Sequence, residues 1–130
     1  MNVLFVCIEN SNRSQMAEGF ARHHGGTGVL AMSSGSRPSG RVNPKAIAAM
    51  AEKGIDISGH ESIELDQLPN LHWDWVVTMG CGDECPFIDA DNRADWALQD
   101  PRDLEGEEFN AVRDDIERRV IKLLNMRFNR

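Results

Sequence analysis

The start of the chain constrains its fold more strongly than any other stretch. Residues 3–6 are continuously apolar, which is typical of a strand buried on both faces of a sheet. From Ser14 onward the pattern becomes helical, because Met16 and Phe20 recur at a spacing of four. Residues 7–13 lie between the two patterns. The segment therefore predicts a buried strand, a tight loop and the first turn of a helix.

The tight loop is predicted to bind an anion. Backbone N–H groups that converge on a helix N-terminus carry the positive end of its dipole, and Arg13 adds a planar pair of donors that fits a tetrahedral oxyanion. Cys7 lies at the floor of this loop, where the positive field favours the nucleophilic thiolate. The hydroxyl of Ser14 is placed to donate a hydrogen bond to that sulfur. The predicted oxyanion-binding residues are Ile8, Glu9, Asn10, Ser11, Asn12 and Arg13.

A structural interpretation of Cys7 competes with the catalytic one. A cysteine that ends a buried strand is often only a small core residue, and its spacing to Arg13 occurs by chance in many chains. The strand before this motif and the helix after it favour the catalytic interpretation, since motif and predicted context agree.

Bulk properties place the chain in a broad class. Its length suits a single domain over residues 1–130, and 41% hydrophobic with 27% charged residues is typical of a globular protein. The net charge of −7 disfavours nucleic acid or an anionic membrane as a partner. The apolar run after Met1 is too short for a signal peptide, and no stretch is long enough to span a bilayer. Three cysteines without an export signal indicate reactive thiols in a reducing cytoplasm.

Strand and helix patterns continue to alternate after the first unit. The further strands are predicted at residues 29–32, 75–79 and 96–98, and the helices at 44–53 and 107–126, with a short helix near Leu65. This alternation predicts an α/β fold with a central four-stranded parallel sheet flanked by helices on both faces. The site of such a sheet lies at the carboxyl ends of its strands, where Cys7 is. Residues 80–93 are predicted as a long loop, and long loops in compact domains are often functional.

Two further cysteines follow the third predicted strand. Cys81 and Cys85 are thereby placed at the same sheet edge as Cys7. Four residues apart in a glycine-flanked loop, they could pair as a disulfide after a modest rearrangement. A zinc pair or two passive thiols are the alternatives, but the four histidines show no spacing typical of zinc ligands. Redox-active thiols are therefore favoured, and no cofactor is predicted.

Motifs along almost the whole chain resemble those of one family. They are C-I-E-N-S-N-R-S-Q-M-A-E at 7–18, Gly35, Asn43-Pro44, G-I-D-I-S-G-H at 54–60, T-M-G-C-G-D at 78–83 and Asp100-Pro101. The strand followed by C-x5-R-S resembles the low-molecular-weight protein tyrosine phosphatase family. The longer strings are more similar to its arsenate reductase branch.

The resemblance implies that an oxyanion is reduced and that the resulting disulfide is transferred among three cysteines. Cys7 would attack arsenate, Cys81 would then attack the Cys7 sulfur and release arsenite, and Cys85 would draw the disulfide into its own loop. Thioredoxin or a similar dithiol would reduce that disulfide. Asp100 matches the family's acid loop, where an aspartate protonates the leaving oxygen, although Asp-Pro is also an ordinary turn signal.

Departures from the family pattern bear on the substrate. The acid loop is followed by residues 102–104, Arg-Asp-Leu, where tyrosine phosphatases carry aromatic residues, and the chain contains no tyrosine. That difference disfavours a phosphoprotein substrate. Glu9 would repel an anion unless its side chain points outward, and Asn12 replaces a cysteine that relatives often carry.

A monovalent cation is a further implication of the resemblance. Asn10, Glu18 and Ser33 match the positions that hold such an ion in some reductases of the family. The alternative is that these side chains form hydrogen bonds that brace the loop, without an ion.

Three functions are thus compared. The first is arsenate reduction through the relay of Cys7, Cys81 and Cys85. The second is a phosphatase, in which water assisted by Asp100 hydrolyses a phosphorylated Cys7. The third is a redox-sensing module, which leaves Arg13 and Asp100 unexplained. Arsenate reduction is favoured because it gives each cysteine one task.

Overall fold

The computed structural model describes residues 1–80 and 87–126. Cys81 and Cys85 therefore lie outside the described residues. The described strands are β1 (Asn2–Cys7), β2 (Leu30–Gly35), β3 (Trp75–Thr78) and β4 (Asn92–Asp95), and the α-helices are α1 (Arg13–Gly25), α2 (Pro44–Ala51) and α3 (Gly106–Asn125). Short 3₁₀ helices lie at Gly26–Gly28, Leu65–Gln67 and Pro101–Asp103. The short helix predicted near Leu65 is confirmed.

The four described strands form one parallel sheet in the order β2-β1-β3-β4. Within it, Cys7 of β1 pairs with Gly35 of β2, and Val6 pairs with Thr78 of β3. The neighbours of β1 thus lie on opposite sides, which makes its carboxyl end a topological switch point where a crevice opens. Cys7 ends β1 at that crevice. The predicted four-stranded parallel sheet is confirmed.

Alternate residues of β1 point to opposite faces of the sheet. Val3 and Phe5 belong to the larger core, which is completed by α1, α2 and α3. Leu4 and Val6 belong to a smaller core beneath the 3₁₀ helix Leu65–Gln67 and the loop after it. Helices therefore cover both faces, as predicted, but unequally: in the described ranges the second face carries only this single turn.

Strand β2 runs three residues beyond the predicted range of 29–32. Ser33, Ser34 and Gly35 are buried and pair with β1, and apolar periodicity does not detect such a polar continuation. Gly35 packs against the loop that follows β1, where a Cβ atom would lie 2.6 Å from the carbonyl oxygen of Ile8. Glycine therefore permits a close approach between β2 and the predicted anion-binding loop.

The predicted fourth strand at residues 96–98 is wrong. The strand is Asn92–Asp95, whose residues are alternately half-buried and exposed, as expected at a sheet edge. The apolar signal came from Trp96 and Leu98, which lie just beyond the strand and are buried in the core. The Trp96 ring packs 5.8 Å from that of Phe5 between centroids. The loop predicted at 80–93 consequently ends at Asp91.

Helix α3 carries the apolar face that the sequence predicts. Phe109, Ile116, Val120 and Leu123 are buried, and Val112 packs against the same core. Helices α1 and α3 lie against each other on this face of the sheet. Within the two described ranges, no helix combines the length and apolar character needed to cross a bilayer.

Candidate active site

Cys7 and Ser14 meet at the switch point of the sheet. Cys7 is the last residue of β1 and is 3% exposed, and Ser14 is the second residue of α1 and is fully buried. The Cys7 Sγ and Ser14 Oγ atoms lie 2.8 Å apart. The hydrogen bond that the sequence predicts from the hydroxyl to the sulfur therefore has its two atoms in place.

The carbonyl groups of the loop between β1 and α1, residues 8–12, are all engaged by other groups of the protein. Each carbonyl from residue 7 to residue 12 accepts a hydrogen bond. The donors, in order, are Ser36 N (3.3 Å), Arg37 N (2.8 Å), Ser39 N (3.0 Å), Gln15 Nε2 (3.0 Å), Asn43 N (3.0 Å) and Met16 N (2.9 Å). Because C=O and N–H of a trans peptide point in opposite directions, the N–H groups of residues 8–13 point away from these donors. The loop residues that line the cavity, at positions 8, 9 and 11–13, can thus offer backbone donors to it.

Asn10 fixes the bend of this loop. Its φ of 50° is in the left-handed region, which asparagine tolerates better than most residues. Its Nδ2 donates to Ser14 Oγ at 2.8 Å and to Ser33 Oγ at 2.9 Å, and its Oδ1 accepts from the backbone of Ile63 at 3.0 Å. Since Ser14 Oγ accepts from Asn10, the hydroxyl proton of Ser14 is left for Cys7. Asn10 therefore supports the site from behind, while its side chain does not line the cavity.

A buried polar chain continues from Asn10 to α1. Ser33 Oγ donates to Glu18 Oε1 at 2.7 Å, and Glu18 Oε2 lies 3.0 Å from Arg22 Nη2 and 3.5 Å from His60 Nδ1. Burial lowers the pKa of His60, an effect that the Glu18 carboxylate opposes. Asn10, Glu18 and Ser33, the residues considered for a cation, are thus joined by direct hydrogen bonds that brace the loop.

Arg13 is held between the loops that follow β3 and β4. Its Nη1 donates to the carbonyl oxygen of Leu98 at 3.0 Å, and its Nη2 lies 3.8 Å from Asp100 Oδ2. Gly80 adjoins the guanidinium with a φ of 81°, and a Cβ atom there would lie 2.9 Å from Arg13 Nη1. The sequence did not mark Gly80 as a residue that positions Arg13.

Asp100 serves both as a turn residue and as a wall of the cavity. Its Oδ1 accepts from the backbone N–H of Arg102 at 3.0 Å and so caps the 3₁₀ helix Pro101–Asp103. Its side chain is 44% exposed and lines the cavity that contains Cys7. Both interpretations of the Asp-Pro pair are therefore compatible with its placement.

The mouth of the cavity carries an ion pair that the sequence did not reveal. Arg102 Nη1 donates to Glu9 Oε1 at 3.1 Å, between side chains that are 56% and 41% exposed. Glu9 lines the cavity, but its carboxylate is engaged at the exposed rim. The only sequence signal for Arg102 was a basic residue directly after the predicted acid loop.

The cavity has a volume of about 180 Å³, which suits a small ligand. Three arginines and two carboxylates contribute to its wall, so basic groups outnumber acidic ones. The lining residues are Cys7, Ile8, Glu9, Ser11, Asn12, Arg13, Arg37, Asp100 and Arg102. The structure thus brings Asp100 together with Cys7 and Arg13, from which it is distant in sequence.

A buried cysteine and a carboxylate from another loop that line one small cavity are an arrangement typical of thiol-dependent enzymes that act on tetrahedral oxyanions. Comparison with known proteins agrees with this class. The chain belongs to the low molecular weight phosphotyrosine protein phosphatase family, which matches it over residues 2–129.

Similar members of the family are named for arsenate reduction. The glutaredoxin arsenate reductase of Synechocystis sp. is 42% identical over 125 residues, covering 94% of this chain and 95% of that protein. A solved arsenate reductase in its oxidized state is 41% identical, with a TM-score of 0.87, and the match covers 96% of this chain and 97% of the other. A thioredoxin-dependent arsenate reductase of Corynebacterium glutamicum is 32% identical, with a TM-score of 0.76, over 96% of this chain and 60% of that one.

Proposed function

We propose that this protein reduces arsenate to arsenite. The observation that carries the proposal is the Cys7–Ser14 pair beside loop residues that can offer backbone donors to the cavity, in a chain whose similar relatives are named arsenate reductases. The thiolate of Cys7 attacks arsenic and forms a sulfur–arsenic bond. Water leaves with a proton supplied by Asp100.

Asn12 offers a further contact for the substrate. Its side chain lines the cavity, is 5% exposed and makes no capping hydrogen bond to α1. Its Oδ1 atom has no hydrogen-bond partner among the described residues. A buried carbonyl oxygen without a partner is costly, so a small rotation of the Asn12 side chain toward the cavity would be favoured when a protonated oxygen of arsenate is there to donate to it.

The relay then removes two electrons from the thiols. The Cys81 thiolate attacks the Cys7 sulfur, the sulfur–arsenic electron pair passes to arsenic, and arsenite leaves as the Cys7–Cys81 disulfide forms. Cys85 attacks Cys81 and releases the Cys7 thiolate. Both relay cysteines lie outside the described residues, and their roles rest on the sequence and on the family.

A dithiol protein completes the cycle by reducing the Cys81–Cys85 disulfide. The names of the relatives include both a glutaredoxin and a thioredoxin type, so either kind of reductant fits the proposal. The cytoplasm is the compartment in which such dithiols are kept reduced.

The phosphatase remains the second candidate. A loop built from backbone amides binds phosphate and arsenate alike, since both are tetrahedral oxyanions. The residues after Asp100 favour reduction, because Arg102 rather than an aromatic side chain lines the cavity beside it. Slow hydrolysis of phosphate esters is therefore expected alongside arsenate reduction.

The deciding experiment measures both reactions on the purified protein. Arsenate-dependent oxidation of NADPH is followed with thioredoxin or glutaredoxin systems, and hydrolysis of para-nitrophenyl phosphate is followed in parallel. Cys7→Ser should abolish both activities. Strong hydrolysis with no arsenate turnover under any reductant would assign the protein to the phosphatases instead.

A further inference from the structure

The ion pair between Glu9 and Arg102 crosses the mouth of the cavity that contains Cys7. Glu9 belongs to the loop after β1, and Arg102 belongs to the 3₁₀ helix that follows Asp100. The pair joins two loops that are 93 residues apart in sequence. Both side chains line the cavity and are partly exposed, so the pair lies at the solvent-facing edge of the cavity wall.

The backbone of Arg102 is fixed, while its guanidinium has few restraints. Its N–H donates to Asp100 Oδ1 at 3.0 Å, and its carbonyl oxygen accepts from Lys45 Nζ at 3.1 Å. In the described part of the chain, Glu9 is the side chain that the guanidinium contacts. Arg13 differs, because Leu98 and Asp100 hold its guanidinium in a buried position. Arg102 is thus anchored at the cavity but able to change partner.

The energetics favour such a change of partner. An ion pair between half-exposed side chains is weakly stabilising, because water screens it and both side chains lose conformational freedom. A charge-assisted bond between a guanidinium and a tetrahedral oxyanion in a partly enclosed cavity is stronger. A bound oxyanion would also repel the Glu9 carboxylate.

We propose that Arg102 is an additional oxyanion ligand, and that it leaves Glu9 for the bound anion. The inference rests on the oxyanion site of the proposed function and extends it to a residue that sets affinity. Glu9 acts as an internal competitor for the Arg102 guanidinium. It thereby weakens anion binding by about two- to fivefold, the range expected for breaking an exposed ion pair.

The test measures the affinity for inorganic phosphate by isothermal titration calorimetry. Glu9→Gln should tighten binding about two- to fivefold, and Arg102→Met should weaken it by roughly tenfold or more. Asp103→Asn is the matched control, since it removes one negative charge beside Arg102 from a residue that does not line the cavity. This control should leave the affinity unchanged.

The double variant with Glu9→Gln and Arg102→Met shows whether Arg102 binds the anion itself or only neutralises the charge of Glu9. If Arg102 binds the anion, Arg102→Met weakens phosphate binding in the Glu9→Gln background as well. An unchanged affinity there would overturn the proposal, because Arg102 would then act only by masking the Glu9 charge. Arg102→Lys should recover part of the loss, which a packing role would not predict.

Failure of the proposal is distinguishable from failure of the reductase function. Phosphate binding needs no reductant, so a chain that binds phosphate through Arg102 but never turns over arsenate refutes only the function. A parent chain that does not bind phosphate would refute both. Unfolding curves of all variants establish that the exposed substitutions leave the fold intact.

Discussion

At the scale of single residues, Ser14 shows how neighbours decide the direction of a hydrogen bond. Its oxygen accepts from Asn10 Nδ2, which leaves its proton available to Cys7 Sγ 2.8 Å away. A hydroxyl that donates to a thiolate sulfur forms a charge-assisted hydrogen bond. The site thus adds a side-chain donor to the field of the loop amides.

Ser14→Ala should therefore slow the attack of Cys7 on its substrate by about tenfold, since one charge-assisted hydrogen bond is lost. The rate of Cys7 alkylation by iodoacetamide at neutral pH, measured in parallel, should fall with it. Ser34→Ala is a matched control, because the buried Ser34 hydroxyl has no partner among the described residues. Equal rates for the two variants would contradict the role of Ser14.

At the scale of elements, the ends of β3 and β4 together position Arg13. Gly80 follows β3 and lies against the guanidinium, and Leu98, beyond β4, accepts its hydrogen bond. A residue without a Cβ atom at the end of β3 thus leaves room for the Arg13 guanidinium. The catalytic loop after β1 depends on strands that come much later in the chain.

Gly80→Ala is expected to lower activity on the order of a hundredfold, because its new methyl group displaces the Arg13 guanidinium. Gly54→Ala is the control. Gly54 has a similar φ of 76°, but no atom lies within 4 Å of its missing Cβ. Both variants should lose about 1 kcal/mol or more of unfolding free energy from backbone strain. Only Gly80→Ala should lose activity in steady-state assays, and an equal loss in both would contradict this account.

The sequence could predict the parts of the site that lie within one continuous segment, but not the parts that depend on contacts between distant elements. Cys7, Arg13 and Ser14 lie in one continuous segment, so periodicity and spacing place them correctly relative to each other. The sequence did not predict β4 at its true position, because an edge strand needs no continuous apolar run. The strand was predicted at Trp96 instead, because the apolar residues lie there. The pair of Glu9 and Arg102 depends on two loops brought together by the sheet, and no local pattern encodes that contact.

At the scale of the whole molecule, the proposed reaction requires communication between the cavity and a bulky protein reductant. Cys7 is buried at the floor of the cavity, so a dithiol protein cannot reach it directly. Gly80 is the last described residue before the segment that carries both relay cysteines. Gly80 itself follows β3 at the carboxyl ends of the strands, where Cys7 also lies.

Replacing each of the two relay cysteines should stop arsenate reduction at a different step. Cys81→Ser should keep hydrolysis of para-nitrophenyl phosphate but lose arsenate turnover, since hydrolysis needs only Cys7, Arg13 and Asp100. Cys85→Ser should release a single arsenite and stop with a Cys7–Cys81 disulfide, which peptide mass mapping after one turnover would detect. Repeated reduction at the parent rate by both variants would replace the relay with a small external thiol.

Stability of the molecule should depend on pH through its histidines. Burial lowers the pKa of His60 below its ordinary 6.5, with Glu18 opposing the shift. The unfolded chain then binds this proton more readily, so the His60 contribution is lost as the pH falls through 6.5. His60→Gln should therefore reduce the loss of unfolding free energy between about pH 7.5 and pH 5.5 in urea titrations.

His72 provides a comparison of opposite sign. The Asp91 carboxylate accepts a hydrogen bond from His72 Nε2 and raises the pKa of His72, so protonation of this residue favours the folded state. Its contribution is present at low pH and is lost as the pH rises through the raised value. His72→Gln should enlarge the acid-induced loss of stability, and a change in the same direction as His60→Gln would contradict the assignment.

The hydrogen bond from Arg13 to Leu98 has a consequence for the newly made protein. The two residues are 85 positions apart, and a ribosome adds roughly 5–20 residues per second. Arg13 thus emerges on the order of ten seconds before its acceptor has been translated. During that interval the Cys7 thiol exists without a finished binding site for an oxyanion. The nascent chain therefore carries Cys7 early but completes the cavity around it only after Leu98 has been translated.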